Sequence, residues 1–401
     1  MTAPALEASL KVVVDGPGSV SVEGRARYHV PAAPSRTLIL DAPDYDEVTV
    51  TGPSGVAGRY DGERITINYG QMPPELPDVT FTIEYTTRPA KGVVVSERGV
   101  WTAFSTWHWL PVKKDPSWRV RAQLHVQGPQ GWTTLATGDG PERPGPDIAS
   151  HLPHPAYTLG FVSGQLASEV RRGPHSVWGL PPDQAQHVLE LTEQAHARLK
   201  ARFGDVWALP HGYVQVFVPG RAMQELAGMA FLSGKYIDTI VKDPKEDWLI
   251  VHELAHQLWG NLVTCKTWGD FWLNEAVVTW WVGHDKGLRG DEAGHQRELA
   301  LWQKRTARTL TRGGDVRIHR PGVSEAEAGG SIVYNAGATL IERIAVMMGH
   351  EAFERRLAAW MRAGLTEGVS LGTSDFIESL ELEGHRETEV LRMLKDAHTL
   401  Q

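Results

Sequence analysis

All but four of the 25 prolines precede residue 183. Proline lacks a backbone donor and breaks helix interiors. Long helices are therefore expected only in the second part of the chain, and strands and loops in the first. The first part carries short runs that alternate apolar and polar residues, at 19–30, 47–50, 64–69, 79–85 and 119–126. They are split by Gly, Pro and Asp. Alternation at period two predicts half-buried antiparallel strands. The Pro- and Gly-dense stretch 138–154 is expected as a loop, with β structure continuing at 157–162 and 169–172.

Pro181-Pro182-Asp183 predicts the start of the first long helix, capped by Asp183 and ending near Gly204. A strand at 213–218 follows. Helices are expected at 247–261, 271–286, 291–310, 331–348 and 351–363, with a helical tail after 373. The reading is an α+β chain of two domains, β-rich over 1–178 and mostly helical over 179–401.

The second part contains His252-Glu253-Leu254-Ala255-His256, with Glu275 following after eighteen intervening residues. In a helix His252 and His256 stand one turn apart on one face, so both imidazoles can grip one zinc ion. Glu253 lies about 100° round the same helix. It can reach water at the metal without ligating the metal. Glu275, on the next helix, supplies a third ligand. Three protein ligands leave a position open, which marks a catalytic site. The bland alternative is a surface helix with two solvated histidines. It does not explain the flanking Trp248, Leu249, Leu254, Leu258 and Trp259, because polar groups in an apolar setting need partners.

The net charge of -8 argues against nucleic acid or an acidic membrane as a partner. The single cysteine, Cys265, forbids an intramolecular disulfide. The N-terminus lacks a signal-peptide pattern, and no apolar run approaches the ~20 residues that span a bilayer. The expectation is a cytoplasmic protein, a monomer by default. Of the fifteen tryptophans, Trp101, Trp107, Trp109, Trp280 and Trp281 are expected in core rather than in a cleft.

The run His252–Thr264 (His-Glu-Leu-Ala-His-Gln-Leu-Trp-Gly-Asn-Leu-Val-Thr), followed by Trp268-Gly-Asp-Phe-Trp-Leu-Asn-Glu275, resembles the gluzincin aminopeptidases, the aminopeptidase N and leukotriene hydrolase family. The resemblance implies a β-saddle, sandwich-like N-terminal domain and a thermolysin-like catalytic domain. It covers those two and leaves no room for the family's helical third domain. It implies one zinc ion on His252, His256 and Glu275, and peptide as substrate. Tyr334-Asn335-Ala336-Gly337-Ala338 is similar to the family's tyrosine element, with Ala336 in place of its lysine. The Tyr334 phenol would then stabilise the oxyanion. Glu253 would act as general base and acid. Asn274 would help orient the ligand beside it.

Family members also carry Gly-Ala-Met-Glu-Asn, whose backbone binds substrate as an extra strand and whose glutamate holds the α-ammonium. The resemblance places this element at Ala227-Gly228-Met229-Ala230-Phe231, so Ala230 stands where the carboxylate should be. The family's second amine anchor falls on Thr102-Ala103-Phe104-Ser105, which also lacks an acid. Glu225 lies nearby but is expected to point elsewhere. Aminopeptidase activity is the first expectation. An endopeptidase or oligopeptidase with weak amine recognition is the alternative. A non-catalytic zinc-binding peptide module and another hydrolase chemistry, such as epoxide opening, stand behind them.

Overall fold

The computed structural model describes residues 5–16, 19–31, 36–70, 78–138, 147–149, 153–204, 212–219, 223–243, 245–367 and 370–400. The chain divides into two compact units, Met1–Leu189 with Leu209–Ile237, and Glu190–Ala208 with Asp238–Gln401. This division differs from the expected boundary at 178. The strands Val214–Val218 and Met229–Ser233 pair with His175–Trp178 and so fall in the first unit.

The first unit is β-rich. Among the described residues its largest sheet runs Asp147–Ala149, Arg119–Gln127, Ala5–Gly16, Ser19–Pro31, Asp78–Thr87 and Tyr45–Thr51, with His154–Pro155 also on Arg119–Gln127. The expected antiparallel alternation holds for most of it, and Arg119–Gln127 buries every second residue. The exception is Ala5–Gly16, which runs parallel to Arg119–Gln127. The loop expected over 138–154 lies mainly outside the described residues; Asp147–Ala149 and His154–Pro155 within it are strands.

Three buried tyrosines of this sheet fix the segment after the strand Gly99–Thr102. Tyr45 Oη donates to the Trp107 carbonyl (3.1 Å), Tyr85 Oη to Trp109 (2.9 Å), and Tyr28 Oη to Pro111. Burial pushes all three phenols well above their ordinary range, so they act as neutral donors. Trp101 and Trp109 are core residues, as are Trp280 and Trp281 of the second unit; Trp107 is only partly buried.

A mixed sheet in the same unit carries Val170–Arg172, His175–Trp178, Val214–Val218, Met229–Ser233 and, at its edge among the described residues, Gln224–Leu226. The last two strands form a hairpin through Ala227-Gly228. Gly228 has φ +70°, and a β-carbon there would lie 2.5 Å from the Gly138 carbonyl oxygen. Only glycine satisfies both conditions.

The second unit is helical. The helix Pro182–Phe203 enters it from the first unit. It starts two residues earlier than a cap at Asp183 would give, so Asp183 sits in its first turn, where a negative charge complements the helix dipole, and is not the cap. The helices that follow include Trp248–Ala255, Trp272–Leu288, Glu292–Leu310, Gly337–Met348, His350–Glu367, Thr373–Ser379 and His385–Lys395. The expected helix over 247–261 stops at Ala255. The chain then turns tightly, with Trp259 N–H on the Ala255 carbonyl and Gly260 N–H on the Val263 carbonyl. Among the described residues, no helix is long and apolar enough to cross a membrane.

Candidate active site

The helix Trp248–Ala255 is mostly apolar, and Leu249 through Ala255 are all buried. A helix buried all round belongs in a core, and it carries His252 and Glu253 there. His256 follows at its C-terminus, its N–H still bonded to the His252 carbonyl (3.2 Å). Glu275 comes from the first turn of Trp272–Leu288.

These elements bring three ligand atoms together. His256 Nε2 lies 3.2 Å from His252 Nε2. Glu275 Oε2 lies 3.4 Å from His256 Nε2 and 3.5 Å from His252 Nε2. His256 Nδ1 sits 2.9 Å from the Trp259 carbonyl oxygen and must donate to it, which leaves Nε2 as a lone-pair donor. Burial lowers the His252 pKa, partly opposed by Glu275. Burial alone would raise the Glu275 carboxyl, but the two histidines outweigh it and hold it well below its ordinary value. Glu275 Oε2 is buried without a hydrogen bond. Two imidazoles and a carboxylate with an orphaned oxygen, converging on one point, fit a divalent cation.

Salt bridges and aromatic packing hold the two ligand-bearing helices in place. Arg289, just past Trp272–Leu288, forks onto Asp247 at the head of Trp248–Ala255 (2.5 and 2.8 Å). Arg198 forks onto Asp285 (2.6 and 2.9 Å). Phe203 packs edge-on against both Trp259 and Trp281. Ahead of Glu275, Asp270 accepts bonds from Thr373 N (2.9 Å), Thr373 Oγ1 (2.7 Å) and Thr267 Oγ1 (2.7 Å), with His319 Nε2 at 3.3 Å.

Tyr334 lies in a π-helical turn, Ile332–Ala336, leading into Gly337–Met348. The Gly337 N–H reaches the Ile332 carbonyl, five residues back. Such turns are frequent at functional sites. The Tyr334 ring stacks on His252 with centroids 6.3 Å apart. Asn274 is buried next to Glu275 on the same helix.

The expected substrate strand needs correction. Met229 and Ala230 are paired on both sides, with Val214–Gln215 and with Glu225–Leu226. Their backbone groups are therefore committed to the sheet, and Ala227-Gly228 is the turn. Gln224–Leu226 is the end strand of this sheet among the described residues, and Gln224 and Ala227 bond to the carbonyls of Tyr157 and Thr158. Glu225 pairs directly opposite Ala230, so both side chains share one face of the sheet. The expectation that Glu225 points elsewhere fails, because it took no account of the hairpin. Glu225 is 3% exposed. Gln224 and Glu225 were legible only as residues before a Gly turn.

A buried helix with a His-x-x-x-His pair, a carboxylate from the following helix and a separate β-rich unit fit the resemblance to the gluzincin hydrolases. Residues 231–396 match Peptidase family M1 domain. The chain is similar to aminopeptidase N of Streptomyces lividans, with 24% identity over 67% of this chain and 34% of that one. Among solved structures it resembles the M1 zinc metallopeptidase of Deinococcus radiodurans (TM-score 0.74, 17% identity, covering 99% and 93% of the two chains). It also resembles yeast LTA4 hydrolase solved with bestatin (TM-score 0.76, 19% identity, 97% and 66%). The chain spans 34–40% of the length of the first curated relatives it matches. Residues 231–396 thus resemble the M1 peptidase domain, and the fold of the chain is that of these solved M1 structures.

Proposed function

We propose that this chain is a zinc aminopeptidase acting on peptides in the cytoplasm, with the catalytic domain over 179–401. The convergence of His252, His256 and Glu275 beside Glu253 carries the reading. The three ligands would hold one zinc ion, which when bound supplies Lewis-acid activation of water and of the scissile carbonyl. Glu253 takes the proton from the attacking water and returns it to the leaving amine. Tyr334 donates its phenol hydrogen to the oxygen on which negative charge develops. Asn274 helps fix the orientation of Glu275.

Exopeptidase selectivity requires a counter-charge for the substrate's ammonium, because an ammonium taken from water into a pocket without one loses its hydration unpaid. Ala230 has no carboxylate; Glu225, paired with it across the hairpin, carries one on the same face of the sheet. An endopeptidase is the second reading, since Ala230 removes the acid that the family resemblance places there. Matched peptides with free and acetylated N-termini separate the two. A strong preference for the free amine supports the aminopeptidase; equal cleavage by the wild type moves the assignment to endopeptidase. No cleavage of either, with zinc present, sinks both.

A further inference from the structure

Asn261 has no part in the chemistry above, yet it is a buried amide, 2% exposed, turned back onto His256. The helix Trp248–Ala255 ends just before His256, so His256 stands where helical carbonyls lose their regular partners. Its carbonyl nevertheless accepts two hydrogen bonds from one residue. Asn261 reaches it with its backbone N–H (3.1 Å) and with its side-chain Nδ2 (3.3 Å). The backbone N–H alone gives that carbonyl a partner. The side-chain bond therefore adds direction to the turn rather than rescuing a buried acceptor.

The same turn holds the ring of His256. Its Nδ1 donates to the Trp259 carbonyl (2.9 Å), and only Gly260 separates Trp259 from Asn261. Two further backbone bonds close the turn: Gly260 N–H on the Val263 carbonyl (2.7 Å) and Val263 N–H on the Leu258 carbonyl (2.9 Å). The Trp259 indole is wedged against Phe203 and Trp281, with centroids 5.2 and 6.3 Å away. Backbone and imidazole of His256 are thus both tied to one turn, all of it inside the second unit.

We propose that Asn261 is a positioning residue for His256 as a metal ligand. Its side-chain amide anchors the turn to the His256 carbonyl and so sets where the Trp259 carbonyl stands. That carbonyl in turn fixes the tautomer and the rotation of the imidazole, which aims Nε2 at His252 and Glu275. An imidazole already aimed binds a cation without first being ordered. Loss of the amide therefore acts on metal affinity and on the geometry of the ligand set. The inference rests on the reading of His252, His256 and Glu275 as metal ligands.

The test compares wild type, Asn261→Leu and Asn261→Asp. Leucine is close in size and lacks the amide; aspartate keeps the shape and loses the Nδ2 donor. Three quantities are measured: zinc Kd by competition with a chromogenic chelator, the visible absorption of the cobalt(II)-substituted protein, and the melting temperature of the metal-free protein. Both variants are expected to raise the zinc Kd about tenfold or more. Both should also shift the cobalt bands, which report the arrangement of the ligands around the ion. Asn261→Asp carries the test alone if the leucine variant does not fold. A role confined to capping the helix would lower the metal-free melting temperature and leave the zinc Kd and the cobalt spectrum at their wild-type values. That result overturns the proposal and leaves the metal site standing. Absence of zinc binding by the wild type removes the metal reading, and this inference with it.

Discussion

A β-carbon placed on Gly337 would lie 2.6 Å from the β-carbon of Ala276, the residue after Glu275. The absence of that carbon lets the start of Gly337–Met348 press against the helix that carries Glu275. The π-helical turn holding Tyr334 is the segment just before this contact. Gly337→Ala should push the two helices apart or force the turn to rewind. Overpacking of this kind costs about 1–3 kcal/mol. The expected outcome is a lower melting temperature together with a fall in kcat of about tenfold at a temperature where the variant is fully folded. A variant that melts early yet keeps wild-type kcat would show that the contact serves stability alone.

The chemistry of the pair Glu253 and Tyr334 predicts a separable pattern. Glu253→Gln keeps the shape of the side chain and removes the base; Tyr334→Phe removes only the hydroxyl. Each is expected to keep zinc and to lose about 100-fold or more in kcat. Steady-state kinetics with metal content measured on the same samples decides it. Wild-type turnover in Tyr334→Phe would assign the oxyanion role elsewhere.

The metal prediction follows from the orphaned Glu275 oxygen. One zinc ion per chain should bind, with ligand distances of about 2.0–2.2 Å. Chelation should abolish cleavage, and stoichiometric zinc should restore it. Because zinc binds a preformed set of three ligands, it should also raise the melting temperature, and Glu275→Gln should remove most of that rise. Full activity in protein shown by elemental analysis to be metal-free would end the proposal.

What could be read from the sequence, and what could not, divides by range. The convergence of His252, His256 and Glu275 was legible because a helix fixes the i, i+4 geometry locally, and Glu275 stood at a spacing the family resemblance supplied. The β-rich and helical parts were legible because proline placement is a local constraint. The helix end at Ala255 was not, because it depends on where Trp259 and Val263 find their backbone partners. The parallel pairing of Ala5–Gly16 with Arg119–Gln127 joins segments more than a hundred residues apart, which no local pattern specifies. The pairing of Glu225 with Ala230 turned on which two residues form the hairpin. Gly228 was visible in the sequence, but the positive φ that makes it the turn was not.

Asp270 makes acid sensitivity a specific expectation. Burial would raise its carboxyl, but His319, Thr267 and Thr373 outweigh that and hold it well below the ordinary carboxylate range. A group whose folded pKa is depressed stabilises the fold above its unfolded value, about 3.9, and that contribution fades as pH falls towards the folded value. Thermal melts from pH 6 down to pH 2.5 should therefore show a loss of stability beginning near pH 4. Asp270→Asn should be less stable at pH 6 and should lose less on acidification, because the ionising group is gone. Parallel curves for the two proteins would mean that other carboxylates govern the acid limb.

The hairpin also reverses a substitution that the sequence alone recommends. With Ala230 standing where the family's glutamate should be, Ala230→Glu looks like a repair. Ala230 is fully buried and faces Glu225 from the adjacent strand. Directly paired strand residues have β-carbons about 4.5–5.5 Å apart. Two carboxylates that close in a buried site cannot both ionise without a large penalty, so one would be forced to take up a proton. Ala230→Glu is therefore expected to lower the melting temperature and to raise KM for a free-amine peptide. Combining it with Glu225→Ala moves the acid across the hairpin while keeping a single charge, and should recover part of both losses. Melting curves and KM for the two single variants and the double variant form the comparison. Tighter binding in Ala230→Glu alone would mean that the two acids fit side by side and that the expected repulsion between them is absent.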